Sequence, residues 1–308
     1  MPSAFARIGS RGSPLALAQA RAVRDRMAVA HNVAPDAIEI RVIRTSGDAI
    51  QDRPLAEVGG KGLFTKEIEE ALLRNEVDLA VHSAKDMATQ LPPGLAIAAC
   101  LPREDPRDTF VSRVARTLAE LPPGARVGTG SLRRTALLRR LRNDLVIVPM
   151  RGNVETRLRK LGEGEADATI LALAGLRRLG LEDAATMILD VEAFPPAVGQ
   201  GVIAIEARAD DDQSRALVEA INDADAAIAL SAERAFLAVL DGSCKTPIAG
   251  HAQLAGGNVR FSGLIVKPDG SAAFAVSRTG PARNAAMLGA DAGRELRAKA
   301  GGDFFVVP

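Results

Sequence analysis

Short apolar runs alternate with amphipathic stretches through the first two-thirds of this 308-residue chain, and no other feature restricts its fold as strongly. Ala6–Gly9 reads as a short strand, followed by a helix from Pro14 to near Ala30. Ile38–Thr45 alternates as a strand, Thr65–Arg74 is helical, and Leu79–His82 and Leu95–Leu101 are strands. This rhythm predicts a mainly parallel sheet covered by helices. It then restarts. Strands over Thr109–Ser112, Arg126–Gly128, Leu145–Pro149 and Ala168–Leu173 interleave with helices over Leu132–Leu141, Val154–Leu161 and around Leu176.

Two segments suit crossings between the blocks. Pro102–Pro106 is polar and carries two prolines, as a hinge or linker does. Phe194–Gly201 leads into an alternating strand, Val202–Ala207. The last third changes character: a long helix over Asp225–Leu240, then strands over Ile248–Leu254, Val259–Val266 and Ala272–Arg278, separated by glycine-bearing turns that signal antiparallel hairpins. A helix over Asn284–Ala300 follows. The expected class is therefore α/β. Two α/β domains (1–101 with 202–220, and 107–195) precede a smaller C-terminal α+β domain over 224–308.

The net charge of +1 supplies no field that would draw the chain onto nucleic acid or a membrane, and there is no Trp or Tyr for base stacking. No apolar run reaches the roughly 20 residues of a membrane span, and Met1–Arg7 has no signal-peptide pattern, so a cytoplasmic location is expected. Disulfides rarely persist there. Cys100 and Cys244 form no metal-ligand pair, and His31, His82 and His251 are scattered, so no metal site is expected. Of 39 basic residues seven are lysines, which leaves 32 arginines. Codon bias accounts for much of that excess. Bidentate grip on carboxylates accounts for the rest if the arginines stand in the right places.

Several do stand at turns between strands and helices. In Ser10–Pro14, Ser13 fits an N-cap and Pro14 the first helical position, with Arg11 near exposed backbone N–H groups. That makes either an anion site or a capped helix with a solvated arginine. The device recurs at Gly128–Arg134, where Ser131 can cap the next helix, at Arg151–Asn153 with Arg157 close behind, and at Gly175–Arg178. Such turns line the cleft at the carboxyl ends of parallel strands, and four of them suit a ligand bearing several carboxylates. Gly59–Phe64 does not satisfy the phosphate-loop pattern, which argues against nucleotide binding; a loop closing over a cleft fits better. His82–Asp86 leaves a buried strand and sets a carboxylate among cationic groups. Adjacent His82 and Ser83 point to opposite sides of an extended chain, against a hydrolase triad. Asp241–Lys245 ends the long helix, with Gly242 terminating it and Cys244 on an accessible turn beside a lysine that favours thiolate. Cys100, inside an apolar strand, fits an inert core cysteine.

Together these residues resemble the porphobilinogen deaminase (hydroxymethylbilane synthase) family over nearly the whole chain. The resemblance rests on Gly9–Leu17, Thr45–Asp48, Val58–Phe64, Val81–Asp86, Arg103–Asp108, Val127–Arg134, Arg151–Arg157, Ala172–Gly180, Pro196–Gly201 and Gly242–Cys244 in that order. It implies two domains resembling type II periplasmic binding proteins and a third carrying a cofactor cysteine. The implied reaction joins four porphobilinogen molecules head to tail on a dipyrromethane cofactor, with loss of ammonia at each step. By the same resemblance Cys244 holds the cofactor through a thioether and Asp86 is catalytic. Arg11, Arg133, Arg134, Arg151, Arg157 and Arg178 grip carboxylates. Ser13, Ser83, Lys85, Thr129, Ser131 and Gln200 are neighbouring polar contacts, and Lys61 and Phe64 belong to the active-site loop. A monomer is the family expectation. Gly130 stands where a small hydroxyl residue or alanine is frequent, and Ser243 replaces a frequent glycine.

The residue types suit that chemistry. Each pyrrole carries an acetate and a propionate, so a growing chain accumulates negative charge that successive arginines neutralise. Loss of ammonia leaves a cationic methylene-pyrrolenine, which a nearby carboxylate stabilises. A tether supplies proximity. A non-catalytic polycarboxylate-binding protein of solute-receptor type is the alternative; it explains the domains and arginines but not Cys244.

Overall fold

The computed structural model describes residues 4–49, 62–240, 246–301 and 304–305. They divide into two compact units, one built from the described parts of 1–52, 60–104 and 202–227, the other from those of 105–201 and 228–308.

The first unit opens with β1 (Ala6–Ser10), α1 (Pro14–His31) and β2 (Ile38–Val42), then α2 (Ser46–Ala49), α3 (Lys66–Leu73), β3 (Leu79–Ser83) and β4 (Leu95–Cys100). Helix α1 starts where Ser13 Oγ accepts from Ala16 N, with Pro14 in the first turn, and ends at Asn32 in the left-handed conformation. Its Ala16, Ala20, Val23 and Met27 recur at helical spacing and are buried on the sheet side. Strand β2 stops three residues short of the expected Thr45. Thr45 Oγ1 instead donates to Asp48 and its carbonyl accepts from Asp48 N, so a local turn replaces the ladder.

The second unit takes β5 (Asp108–Ser112), β6 (Arg126–Gly128), α4 (Leu132–Leu141), β7 (Val146–Val148), α5 (Val154–Gly162), β8 (Ala168–Ala172), α6 (Leu173–Arg178) and the short β9 (Met187–Ile188). The chain then returns to the first unit for β10 (Ile203–Arg208) and α7 (Asp212–Glu219).

The two sheets share one plan. The first has the order β2-β1-β3-β10-β4 and the second β7-β6-β8-β5-β9. In each, one strand runs against its neighbours: β10 pairs antiparallel with β3 and β4, and β5 with β8 and β9. These are the strands by which the chain enters from the other unit. The sheets are therefore mixed rather than mainly parallel as the apolar rhythm suggested. A buried strand reads as a continuous apolar run whichever way it points. The α/β plan is thus duplicated, and a separate smaller three-stranded sheet follows it.

That last part comprises α8 (Ala224–Val239), β11 (Ile248–Ala255), β12 (Asn258–Val266), β13 (Ala273–Pro281) and α9 (Ala285–Ala300). The strands form an antiparallel meander, β11-β12-β13. The β11–β12 turn is the two-residue Gly256-Gly257, both with positive φ, the geometry that matches strand twist in a hairpin. Phe236 on α8 and Phe261 on β12 pack with ring centroids 4.9 Å apart in this core. Gly289 of α9 lies so close to α8 that a Cβ there would fall on the Ala232 carbonyl oxygen.

Candidate active site

Asp86 ends a single 3-10 turn, Ala84–Asp86, that directly follows β3. The turn is fixed at its base because Ala84 N donates to the Val202 carbonyl at 3.0 Å. Lys85 and Asp86 are half-buried. Among the described residues, the Asp86 carboxylate has no hydrogen-bond or ion-pair partner. Ser83, the last strand residue, exchanges hydrogen bonds with Gln19 of α1, at 2.8 Å from Gln19 Nε2 and 3.2 Å to Gln19 Oε1. No local motif points to Gln19, whose place on the buried face of α1 is a matter of packing.

Arg11 lies in the same unit at the carboxyl end of β1. Its guanidinium meets Asp48 through two edges, Nε to Oδ2 at 3.1 Å and Nη2 to Oδ1, and sits over the Phe64 ring with Cζ 4.3 Å from the centroid. Burial pushes the Asp48 carboxyl up, but the Arg11 hydrogen bonds and charge outweigh it and leave it below the usual range. Ser13 caps α1, as its position predicts.

Beneath these lies a buried acidic group. His82 Nε2 is 3.2 Å from Glu206 Oε2, and Glu69 of α3 is also buried. Desolvation, reinforced by the charge of Glu206, holds the Glu69 carboxyl above its ordinary range.

In the second unit the arginines divide into two sets. Arg133 and Arg134, on the first turn of α4, are buried and converge on Asp108: Arg133 Nη2 donates to Oδ2 at 2.6 Å and Arg134 Nη2 to Oδ1 at 2.7 Å. Their other Nη atoms reach the carbonyls of Pro195 and Ile170. Gln200 Nε2 donates to the same Asp108 carboxylate at 2.8 Å and to Pro106 O at 2.7 Å. Burial alone would raise the Asp108 carboxyl; the two guanidiniums overcome it and hold the group far below the carboxylate range. Two buried guanidiniums against one carboxylate leave a net positive charge. The Nε atoms of Arg133 and Arg134 are also buried without a hydrogen-bond partner among the described residues.

The other set is half-buried. Arg151 follows β7, Arg157 Nε donates to Gly152 O at 2.9 Å, and Arg178 Nη2 donates to Gly201 O at 2.6 Å. Thr129 is buried and accepts from Ser131 N, while Ser131 Oγ caps α4 by accepting from Arg134 N. Cys244 and Lys61 lie outside the described residues, so the expectations for the tether and the loop lysine rest on sequence. Asp48 and Asp108 fall within matching segments of the sequence, yet their pairing with Arg11, Arg133 and Arg134 spans 37, 25 and 26 residues and has no local signature.

No helix among the described residues is long and apolar enough to cross a membrane, and no group of three potential metal ligands occurs among them.

Comparison with known proteins gives one answer for the sequence. Residues 6–216 match the model of the porphobilinogen deaminase dipyromethane cofactor binding domain, and residues 227–298 that of the porphobilinogen deaminase C-terminal domain. A porphobilinogen deaminase of Nitrobacter hamburgensis is 62% identical over 303 residues, covering 98% of this chain and 96% of its own. That of Paracoccus denitrificans is 56% identical over 299 residues, covering 97% and 96%. Among solved structures, a periplasmic substrate-binding protein of an ABC transporter from Coxiella burnetii is 16% identical over 75% of this chain and 97% of its own, with a TM-score of 0.44. The chain belongs to the porphobilinogen deaminase family.

Proposed function

We propose that Asp86 is the catalytic carboxylate with which this chain performs its family's reaction, and that the arginine-bearing turns hold the carboxylates of the pyrroles. The enzyme is a transferase, a hydroxymethylbilane synthase. It condenses four porphobilinogen molecules head to tail on a dipyrromethane primer, releases one ammonia per step, and yields the linear tetrapyrrole hydroxymethylbilane.

The second unit fits a group as anionic as the dipyrromethane. The surplus positive charge around Asp108 and the unpaired Nε–H donors of Arg133 and Arg134 ask for an acceptor bearing negative charge. Bound, the primer supplies a nucleophilic pyrrole carbon and keeps the growing chain attached. Cys244 is its thioether anchor, and Arg133 and Arg134 hold its carboxylates. Arg151, Arg157 and Arg178 are half-buried, which leaves their charge within reach of pyrrole side chains, and Arg11 serves the same purpose in the first unit. Ser13, Ser83, Thr129 and Ser131 fix the turns that carry these groups. Gln200 orders Asp108, and Lys85 adds positive charge beside Asp86.

The observation that carries the catalytic role is the unpartnered, half-buried carboxylate of Asp86 on a turn anchored at its base. When the C–N bond of porphobilinogen breaks, ammonia leaves and positive charge develops on the pyrrole. A fixed carboxylate at the ring N–H stabilises that charge, and it accepts the proton lost when the new C–C bond has formed. Asp86→Asn keeps the shape and removes the charge. Turnover should collapse while intact-mass analysis still finds the primer; near-normal turnover would remove Asp86 from this role.

The reading includes a monomeric, cytoplasmic enzyme that binds no nucleic acid. The near-neutral net charge and the lack of Trp and Tyr support the absence of nucleic-acid binding, the monomer follows the family resemblance, and light scattering of the pure protein tests it.

A further inference from the structure

We propose that Asp48 and Phe64 are positioning residues for Arg11, fixing its guanidinium so that the Nη1 side is presented to a substrate carboxylate. The proposal rests on the reading that Arg11 binds such a carboxylate.

Asp48 occupies the Nε–Nη2 edge of Arg11, and Thr45 Oγ1 donates to Asp48 Oδ2 at 2.8 Å, which fixes the carboxylate in turn. Phe64 lies across one face of the guanidinium at 4.3 Å. Its approach requires Gly47: a Cβ there would stand 2.5 Å from two Phe64 ring atoms and 2.6 Å from the Leu63 carbonyl oxygen. Gly47 N also donates to that carbonyl at 2.7 Å, tying the segment before α3 to α2. Thr45, Gly47 and Asp48 thus act together: one orients the carboxylate, one admits the ring, one grips the arginine. With one edge and one face taken, Nη1 makes no hydrogen bond among the described residues. A guanidinium held in one plane loses less freedom when it accepts a bidentate partner than one that must first be ordered.

The test is steady-state kinetics on holoenzyme, with primer content checked by intact mass and folding by thermal melts. Asp48→Asn should raise KM for porphobilinogen about tenfold, the size of one lost charge-assisted hydrogen bond, and leave kcat within about twofold. In an Arg11→Ala background the same change should add less than about twofold, because the residue acts through Arg11. Phe64→Leu should raise KM by about threefold and Phe64→Trp should restore it, which mere space-filling would not require. An unchanged or lowered KM in Asp48→Asn, while Arg11→Ala raises it, overturns the brace and leaves the Arg11 reading intact. Equal effects of Asp48→Asn with and without Arg11 also overturn it. An unchanged KM in Arg11→Ala overturns the Arg11 reading and the brace with it. If Asp48→Asn does not fold, Thr45→Val and the Phe64 pair decide the matter by the same KM criterion.

Discussion

Asp108 accepts from Arg133 Nη2 at 2.6 Å in a position where Asp108 is wholly shielded from solvent and Arg133 is 5% exposed. Arg134 grips the other carboxylate oxygen. The same cluster takes in Gln200, Pro106 and Pro195, so it joins the two segments through which the chain passes between units to the first turn of α4. Removing the carboxylate would leave two buried guanidiniums facing each other. Asp108→Asn is therefore expected to cost about 3–5 kcal/mol, read from urea unfolding.

The same carboxylate sets a pH dependence. Its folded pKa lies below its unfolded one, so its contribution to stability is present above the unfolded value and is lost as pH falls toward the folded value. Urea unfolding midpoints of wild type and Asp108→Asn, measured at successively lower pH, should converge as pH drops. A constant gap across the acid range would contradict the assignment.

Glu69 has the opposite sign. Its folded pKa is raised, chiefly by burial, so its contribution is fully present below the unfolded value and is lost as pH rises through the folded one. Glu69→Gln carries no ionisable group, and its stability relative to wild type should improve as pH rises from 4 to 8. Melting temperatures across that range check it.

Gly289 allows α9 to rest directly on the backbone of α8. Gly289→Ala gains helix propensity of about 1 kcal/mol, but its Cβ would overlap the Ala232 carbonyl. Overlap with backbone cannot be relieved by a side-chain rotation. A net loss of about 1–3 kcal/mol is expected by denaturant unfolding.

Cys244→Ala should leave the denatured protein at its bare-chain mass, whereas wild type carries the added mass of the primer. Equal primer mass on both proteins would place the tether elsewhere.

The sequence by itself determined the element order, because apolar periodicity reports burial and burial is decided locally by each strand and helix. Ser13 capping α1, Ser131 capping α4 and the Gly256-Gly257 hairpin follow from chemistry within four residues. The ordered motifs from Gly9 to Cys244 likewise pointed to the family that the comparisons identify. Tertiary structure decided the rest. Strand direction was invisible, since β5 and β10 look the same to the core from either end. The arginines also read alike in sequence, each beside a turn. Only folding distinguishes Arg133 and Arg134, sunk around Asp108, from Arg11, braced by Asp48 and Phe64, and from Arg151, Arg157 and Arg178, half-open to solvent. The physical reason is that a guanidinium's task depends on which carboxylate and how much water surround it, and both arrive from residues remote along the chain.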